Sequence, residues 1–236
     1  MGKGKLYIVS TPIGNMEDIT LRAINILKSV DYIGVEDTRH SALLLKKFEI
    51  NTSIISFHEH NESRRSEEIL IKLLNSNDIA IISDAGTPAI NDPGYRLISE
   101  VVKHGIKVVP IPGASSVLAA LVGSGFPTDR FTFEGFLPRK KGRKTRFEDL
   151  CKEQRTVVFF ESPHRVEKTL ADCLKFFGNR EIVLAREMTK MFEEFHRGTI
   201  SELIEYFAQE PPRGEFVFVL KPEKIKKEKI NKYAQK

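Results

Sequence analysis

A regular alternation of short apolar runs and longer amphipathic stretches in the first half of the sequence constrains the fold most strongly. The apolar runs predict five strands, near residues 6–9, 32–35, 53–57, 79–82 and 107–109. The stretches between them predict helices near residues 21–28, 41–48, 62–75 and 94–104. This alternation is typical of a parallel sheet, because each parallel connection must cross over the sheet. Residues 79–82 (IAII) are apolar throughout, which predicts a strand buried on both faces.

The alternation continues at a longer spacing after residue 113. Further strands are predicted near residues 131–135, 157–160, 182–185 and 216–220. Further helices are predicted near residues 116–122, 165–177 and 201–208. The length of 236 residues suits two domains of similar size. We therefore expect an α/β protein with two α/β domains, residues 1–113 and 114–222, followed by a basic tail at 223–236.

The composition predicts a folded protein that does not cross a membrane. It is 41% hydrophobic and 29% charged, which argues against disorder. The longest apolar run, residues 117–122, is far shorter than the ~20 residues that a spanning helix needs. Cys151 and Cys173 are too few for a disulfide framework or a thiolate zinc site. Since the chain also opens without a signal-peptide pattern, we expect a reducing, cytoplasmic setting.

Positive charge is concentrated in two places. The net charge is +5, and residues 221–236 alone hold seven lysines and two glutamates. Residues 139–146 (RKKGRKTR), the basic segment, contain six cations and no carboxylate: Arg139, Lys140, Lys141, Arg143, Lys144 and Arg146. Such clusters suit phosphate backbones. The alternative is a solvated loop and a solvated tail, which for the tail alone is the favoured interpretation.

Polar or Gly/Pro-rich clusters follow directly after all five strands of the first half. They occupy residues 10–15, 36–40, 58–62, 83–94 and 110–116. Because the carboxyl ends of parallel strands meet at one edge of a sheet, these clusters predict a ligand site there. Ordinary turns, with Ser115 or Ser116 capping a helix, are the alternative, although a cap and a ligand contact can coexist.

Several familiar enzyme signatures are absent from the sequence. It contains no G-x-x-x-x-G-K-[ST], no G-x-G-x-x-G after the first strand and no G-x-S-x-G. His58-Glu59-His60 has the spacing of a metal clip, but no further His or Cys supports it, and we expect no metal. A metal-dependent phosphohydrolase using His58, His60, Asp84 and Asp92 stays open as an alternative.

Six segments occur in an order and spacing typical of one family. They are residues 10–15 (STPIGN), 36–40 (EDTRH), 83–94 (SDAGTPAINDPG), 110–116 (PIPGASS), 159–164 (FFESPH) and 185–189 (AREMT). With residues 18–23 (DITLRA), they resemble the tetrapyrrole methylase superfamily over roughly residues 5 to 220. The first and fourth loops read STPIGN and AGTP, where tetrapyrrole-modifying members carry glycine-rich GAGPGD-like and GGDP-like loops. This difference favours the RNA-modifying branch.

The resemblance implies a function and a cofactor. It implies two α/β domains that hold S-adenosylmethionine in the cleft between them. It also implies 2′-O-methylation of a specific cytidine in the decoding region of 16S rRNA, within the small ribosomal subunit, by a homodimer. A methyltransferase of a small molecule such as a tetrapyrrole is the alternative. The cofactor-binding residues implied by the resemblance are Pro12, Ile13, Gly14, Asp84, Ala85, Gly86, Thr87, Ile90, Ser115 and Ser116, with Glu161 and Met188 from the second domain.

Methylation of a ribose hydroxyl benefits from a base that removes its proton. The candidate bases are Glu36, Asp37, His58 and Lys190. Our working hypothesis is that Asp37 and Arg39 organise the target nucleotide while Glu36 or His58 assists proton removal. The alternative for residues 36–39 is a helix start at which Asp37 is the cap and Arg39 its surface ion-pair partner. The basic segment is predicted to contact RNA phosphates, which positions RNA without selecting a base.

Overall fold

The computed structural model describes residues 2–223, and the chain divides into two compact units. Unit 1 contains the chain up to Ala119 together with Glu187–Glu193, and unit 2 contains Ala120–Arg186 and the chain from Glu194. The division falls six residues after the predicted boundary at 113. The return of Glu187–Glu193 to unit 1 was not predicted. Residues 224–236 of the predicted basic tail lie outside the described residues.

Unit 1 is built on a five-stranded parallel sheet. Its strands are β1 (Lys5–Val9), β2 (Tyr32–Val35), β3 (Ser53–Ser56), β4 (Ile79–Ile81) and β5 (Lys107–Ile111). Their order across the sheet is β3-β2-β4-β1-β5, and every neighbouring pair is parallel. The five predicted strands are therefore confirmed. β5 is longer than predicted because its pairing with β1 continues through Pro110 to Ile111.

Helices cover both faces of this sheet. They are α1 (Leu21–Ser29) and α2 (Thr38–Lys47) on one face and α3 (Glu62–Leu74) and α4 (Tyr95–Lys103) on the other. A further helix, α5 (Ser116–Ser124), follows β5, and the division between the units falls within it. Alternate residues of β1 enter two cores, because successive side chains of a strand point to opposite faces. Val9 packs with Leu27 of α1, and Leu6 packs with Leu97 of α4. α2 begins three residues earlier than predicted because Asp37 caps it, accepting a hydrogen bond from the Arg39 amide at 2.8 Å.

Unit 2 contains a mixed five-stranded sheet. Its strands are β6 (Phe131–Phe136), β7 (Thr156–Glu161), β8 (Glu181–Arg186), β9 (Glu194–Thr199) and β10 (Phe216–Leu220). The order is β6-β7-β10-β8-β9, in which only β6 and β7 are parallel. β9 was not predicted, because its sequence EFHRGT lacks an apolar run. It is an edge strand, and within residues 2–223 its one paired neighbour is β8.

The helices of unit 2 are α6 (Arg143–Leu150), α7 (Val166–Phe177) and α8 (Ile200–Gln209). No helix was predicted in the basic segment, but its residues 143–146 form the start of α6. Phe147 and Leu150, three residues apart, lie on one helical face and enter the core formed with Leu170 of α7 and Phe218 of β10. This packing stabilises a helix on a sequence whose predominant signal is charge. Between residues 2 and 223, the structure has no helix long and apolar enough to span a bilayer.

Candidate functional site

The carboxyl edge of the unit 1 sheet carries the predicted polar clusters. Since all five strands are parallel, the loops after them emerge at the same edge, as the sequence predicted. The loops after β1 and β4 are joined there by a two-residue bridge. The Thr11 amide donates to the Gly86 carbonyl at 2.8 Å, and the Gly86 amide donates to the Thr11 carbonyl at 3.2 Å.

Side chains strengthen the connection between these two loops. The Thr11 hydroxyl donates to the Ser83 carbonyl at 3.0 Å, and the hydroxyls of Ser10 and Thr87 lie 2.9 Å apart. Ser10, Thr11 and Ser83 are buried. These hydroxyl groups therefore connect two loops that are more than seventy residues apart in the chain.

The loop after β4 adopts an unusual backbone. Ala89 and Asn91 have φ values of 68° and 65°, and Gly86 and Gly94 have 78° and 134°. Left-handed backbone is unfavourable for a residue with a Cβ such as Ala89, and such conformations cluster at functional sites. The loop is held by neighbours, since the Gly94 amide donates to Glu62 at 3.0 Å.

A pocket of about 500 Å³ opens within unit 1 beside the loops after β1 and β5. Its walls are formed by Ile13, Asp18, Thr20, Pro112, Gly113, Ala114, Ser115, Ala119 and Thr189. Ile13 and Ser115 belong to the predicted cofactor-binding set. Ser115 also accepts a hydrogen bond from the Leu118 amide at 3.4 Å, so the expected coexistence of a cap and a pocket position is observed.

Pro112, Gly113 and Ala114 lie in the cluster at 110–116 that was predicted to reach the site, whereas Asp18, Thr20, Ala119 and Thr189 were given no role. Asp18 and Thr20 belong to the segment DITLRA, which was quoted for the family resemblance but given no role. Thr20 is the cap of α1 and accepts from the Ala23 amide at 3.1 Å. The sequence signal that could have identified Thr20 was its position as a helix cap shortly after the first loop, which places its hydroxyl near that loop.

The turn at Glu187–Glu193 contributes Thr189 to the pocket. Thr189 accepts a hydrogen bond from the Asn15 amide at 3.1 Å, while its own amide donates to Glu193 at 2.6 Å. Glu187 and Thr189 have positive φ values of 50° and 65°. Met188 is buried, and the structure places it in unit 1 rather than in the second domain.

The remaining predicted cofactor residues occupy different positions. Pro12 is buried in the first loop beside the pocket residue Ile13, and Gly14 is exposed on the other side of Ile13. Ser116 begins α5 directly after the pocket residue Ser115. Asp84, Ala85, Gly86, Thr87 and Ile90 lie in the loop after β4 and do not line this pocket.

Glu161, predicted to contact the cofactor, is buried in unit 2. It ends β7, its exposure is 1%, and its carboxylate has three partners within unit 2. It accepts hydrogen bonds from the Ser162 amide at 2.9 Å and the Thr169 hydroxyl at 2.6 Å, and Arg165 pairs with it at 3.1 Å. The side chain is therefore held by partners within unit 2, and its contact with the cofactor stays a prediction.

Carboxylates gather where β2 and β4 end. The Asp37 amide donates to the Asp84 carboxylate at 3.1 Å. Burial raises the pKa of Glu36, and the charges of Asp92 and Asp84 raise it further. Burial also raises the pKa of Asp92, with a further contribution from Asp84. Clustered carboxyl groups with raised pKa values, such as Glu36 and Asp92 at this edge of the sheet, are typical of a functional site.

Asp37 and Arg39 form the ion pair considered as the alternative. The Asp37 carboxylate accepts from the Arg39 side chain at 2.8 Å and 3.2 Å, in addition to the helix-cap bond. Hydrogen bonds from Arg39 hold the pKa of Asp37 well below its usual range. A carboxylate with a lowered pKa is a poor proton acceptor, which argues against Asp37 as the base.

His58 and Lys190, the other candidate bases, have partners within unit 1. The Asn61 side chain lies 3.0 Å from the His58 ring nitrogen Nε2, and Asn61 also accepts from the His58 amide at 2.9 Å. The other ring nitrogen, Nδ1, is buried without a hydrogen-bond partner. Lys190 donates to Glu187 at 3.1 Å. In the described part of the chain, no three His, Cys, Asp or Glu side chains are arranged to hold a metal ion.

The basic segment divides into exposed and buried cations. Arg139, Lys140, Lys141, Lys144 and Arg146 are exposed, whereas Arg143 is only 7% exposed. Arg143 pairs with Asp172 at 2.8 Å and donates to the Thr169 hydroxyl at 2.8 Å. The prediction that Arg143 contacts RNA is therefore wrong, because its guanidinium is directed into unit 2.

Comparison with known proteins places this architecture in a family. A family model described as Tetrapyrrole (Corrin/Porphyrin) Methylases matches residues 5–204. A protein of Thermotoga maritima named "Ribosomal RNA small subunit methyltransferase I" is 50% identical over 217 residues, covering 92% of this chain and 98% of that protein. Proteins of the same name from Halalkalibacterium halodurans and Escherichia coli O157:H7 are 46% and 45% identical, each covering 97% of this chain and 80% and 81% of their own length.

Solved structures share the fold at low sequence identity. A diphthine synthase superposes with a TM-score of 0.72 and 14% identity, over 92% of this chain and 90% of that one. A Thermus thermophilus uroporphyrin-III C-methyltransferase, complexed with S-adenyl homocysteine, gives a TM-score of 0.64 and 21% identity, over 92% and 97%.

The fold and the family match define the class: the chain belongs to the tetrapyrrole methylase family. Sequence identities of 45–50% over more than nine-tenths of the chain assign it to one group within that family. Within the class, it is a member of the group of proteins named ribosomal RNA small subunit methyltransferase I.

Proposed function

We propose that this protein transfers a methyl group from S-adenosylmethionine to the ribose 2′-hydroxyl of a cytidine in the 16S rRNA of the small ribosomal subunit. The observation that carries the proposal is the 50% identity to the Thermotoga maritima protein, over nearly the full length of both chains. The expected setting is the cytoplasm, and the expected assembly is a homodimer.

The chemistry of the unit 1 pocket fits S-adenosylmethionine. Its volume of about 500 Å³ lies within the range of small-molecule sites. Ile13 and Pro112 supply apolar wall suited to the adenine ring, and the Asp18 carboxylate suits an ammonium group. Hydroxyls from Thr20, Ser115 and Thr189 can hydrogen-bond ribose and carboxylate oxygens. The S-adenyl homocysteine in the Thermus relative supports this cofactor.

Bound S-adenosylmethionine would supply a methyl group on a sulfonium, which is a good leaving group. The protein then has to orient the ribose oxygen and accept its proton. Glu36 is the strongest candidate for the proton acceptor, because its raised pKa makes it a better base than an ordinary carboxylate. A positioned base contributes roughly 10²–10⁴-fold to such a step. His58 and Lys190 are the alternatives, and Asp37 with Arg39 is proposed to orient the nucleotide.

The exposed cations of the basic segment are proposed to contact RNA phosphates. Arg139, Lys140 and Lys141 lie on the surface between β6 and α6. Each phosphate that they neutralise contributes to a salt dependence of binding, with a slope of about 0.7–0.9 per contact. Such contacts position the RNA, and selection of one cytidine requires recognition of RNA shape and of an unstacked base.

The test is methyl transfer from labelled S-adenosylmethionine to unmodified small ribosomal subunits and, separately, to naked 16S rRNA. Nucleoside mass analysis then identifies the modified nucleoside. We expect 2′-O-methylcytidine at a single site, and the substrate that is labelled identifies the form of RNA recognised. A protein that binds S-adenosylmethionine but labels no RNA would contradict the proposal and favour a small-molecule acceptor such as a tetrapyrrole.

A further inference from the structure

Two arginines hold the backbone from which the basic segment begins. β6 ends at Phe136, and the chain reaches α6 at Arg143. Within this connection, Arg165 donates to the Leu137 carbonyl at 2.7 Å, and Arg143 donates to the Pro138 carbonyl at 3.2 Å. The Arg143 amide also donates to the Lys140 carbonyl at 3.2 Å. The backbone is therefore fixed on both sides of Arg139, Lys140 and Lys141.

These two arginines belong to one buried network. Thr169 is its centre, because its hydroxyl accepts from Arg143 at 2.8 Å and donates to Glu161 at 2.6 Å. Arg165 pairs with the same Glu161 carboxylate at 3.1 Å, and Asp172 pairs with Arg143 at 2.8 Å. Thr169 is fully buried, and Glu161 and Arg143 are nearly so. Every member lies in unit 2.

The charges within the network balance each other, so the net positive charge of this surface comes from the exposed cations. Its two arginines are balanced by two carboxylates. Lys144 pairs with Glu148 at 3.6 Å, and Arg146 pairs with Glu134 at 3.5 Å. Within residues 2–223, no carboxylate pairs with Arg139, Lys140 or Lys141. The unbalanced positive charge is thus carried by the three residues whose backbone the network holds.

Stability alone is a weak reason for such a network. Burying charged groups costs desolvation energy, and replacing a buried ion pair with apolar side chains is often neutral or stabilising. What an apolar core cannot do is donate hydrogen bonds to two successive backbone carbonyls of a loop. The directional bonds of Arg143 and Arg165 do this for the carbonyls of Leu137 and Pro138.

We propose that the Glu161–Thr169–Arg143 network is a positioning device that presents Arg139, Lys140 and Lys141 in a fixed arrangement to the phosphates of the RNA substrate. Arg143 and Arg165 are positioning residues that do not touch the RNA themselves. The inference rests on the proposed rRNA methylation and deepens it, since it assigns a role to Thr169, Arg165 and Asp172, to which the sequence analysis gave none.

The test compares Thr169→Val with Thr169→Ser. Valine has nearly the shape of threonine but cannot bridge Arg143 and Glu161, whereas serine keeps the hydroxyl. We expect Thr169→Val to raise the KM for small subunits by roughly tenfold, equivalent to one or two lost phosphate contacts, and to reduce the salt slope by about 1. The kcat and the S-adenosylmethionine affinity stay unchanged, and Thr169→Ser behaves as the wild type.

Two controls make the outcome decisive. Leu203→Ala removes a buried α8 side chain from the same unit without touching the network, so it reports what a loss of stability does by itself. The triple variant Arg139→Ala/Lys140→Ala/Lys141→Ala reports the full contribution of the three cations. We expect its KM and salt slope to change in the same direction as those of Thr169→Val, and more strongly.

The outcomes separate the inference from the proposed function. If Thr169→Val has the KM and salt slope of Leu203→Ala at matched loss of melting temperature, the positioning role is overturned while rRNA methylation stands. An unchanged salt slope in the triple variant overturns it as well, because the cations then make no phosphate contact. If the wild-type protein methylates no RNA, the proposed function itself fails, and the variants are not needed to show it.

Discussion

Gly14 and Lys190 approach each other so closely that a Cβ on Gly14 would lie 2.4 Å from the Cγ of Lys190. The same Cβ would lie 3.1 Å from the Met188 carbonyl oxygen and 3.1 Å from the Thr189 hydroxyl. The loop after β1 and the turn at Glu187–Glu193 are therefore in contact within unit 1, although more than 170 residues separate them. A side chain at position 14 would require the Lys190 side chain to move and would crowd the Met188 carbonyl and the Thr189 hydroxyl.

Gly14→Ala is expected to move the turn and with it the pocket residue Thr189. Overpacking of this kind typically costs about 1–3 kcal/mol of stability. S-adenosylmethionine affinity is expected to fall at least tenfold, measured by calorimetry. Gly2→Ala is the matched control, since a Cβ on Gly2 would meet no atom within 4 Å. An affinity of Gly14→Ala equal to that of this control would show that the cofactor does not use the first loop.

Glu36→Gln is expected to lower kcat by roughly 10²–10⁴-fold with little change in cofactor affinity, because the amide cannot accept the proton of the ribose hydroxyl. In the wild type, we expect activity to rise with pH as Glu36 loses its proton, and the raised pKa of Glu36 shifts this rise to a higher pH than for an ordinary glutamate. The pH–rate profile of single turnovers measures it. Glu59→Gln is the control, because Glu59 is an exposed glutamate in the loop after β3. A kcat within twofold of wild type would transfer the role to His58 or Lys190.

The pKa shifts also predict how stability depends on pH. A carboxyl whose pKa is raised by folding binds more protons in the native state than in the unfolded state, so stability falls as pH rises through the interval between the two pKa values. Glu36→Gln and Asp92→Asn should therefore raise the free energy of unfolding at pH 7. The gain should vanish below the ordinary pKa of a carboxyl.

Asp37→Asn is expected to change the free energy of unfolding at pH 7 in the opposite direction. Folding lowers the pKa of Asp37, so its stabilising contribution is present above the ordinary carboxyl pKa and is lost as pH falls. This variant should be less stable than wild type at pH 7. Urea unfolding at pH 7 and at about pH 4 measures all three variants. A gain in stability for Asp37→Asn at pH 7 would contradict the assigned ion pair with Arg39.

Thr20 is expected to have two separable roles. Thr20→Ala removes the hydrogen bond that Thr20 accepts from the Ala23 amide, which should cost about 1 kcal/mol of stability. It also removes a hydroxyl from the pocket, and we expect weaker S-adenosylmethionine binding. Thr20→Ser keeps the hydroxyl and should restore both properties. If Thr20→Ala loses stability but keeps full cofactor affinity, the hydroxyl is only a helix cap.

Metal removal distinguishes methyl transfer from the phosphohydrolase alternative. The protein is treated with EDTA, freed of chelator and then mixed with intact subunits in magnesium buffer, so that only the protein's own metal is removed. We expect methyl transfer to be unchanged. Loss of activity that zinc or manganese restores would favour a metal held by His58, His60, Asp84 and Asp92.

Local sequence patterns were sufficient to predict the strands and helices that contribute many apolar residues to a core. The apolar runs of unit 1 predicted five strands, and the polar clusters after them predicted a site at one sheet edge, because strand pattern and connection type follow from residues near each other in the chain. The patterns failed at α6 and β9. In both, the apolar residues are few, and the element is stabilised by distant partners such as the α7 core and β8.

The tertiary structure alone decided which polar groups are available for function. Glu161 and Arg143 read in the sequence as a cofactor contact and an RNA contact, yet Thr169 lies between them and both are bonded inside unit 2. The turn at Glu187–Glu193 belongs to unit 1, where Thr189 reaches the pocket. A sequence states which residues carry charge or hydroxyls. Their partners come from parts of the chain that meet only after folding. Burial among those partners determines whether a group is hydrogen-bonded within the protein or remains available to a ligand.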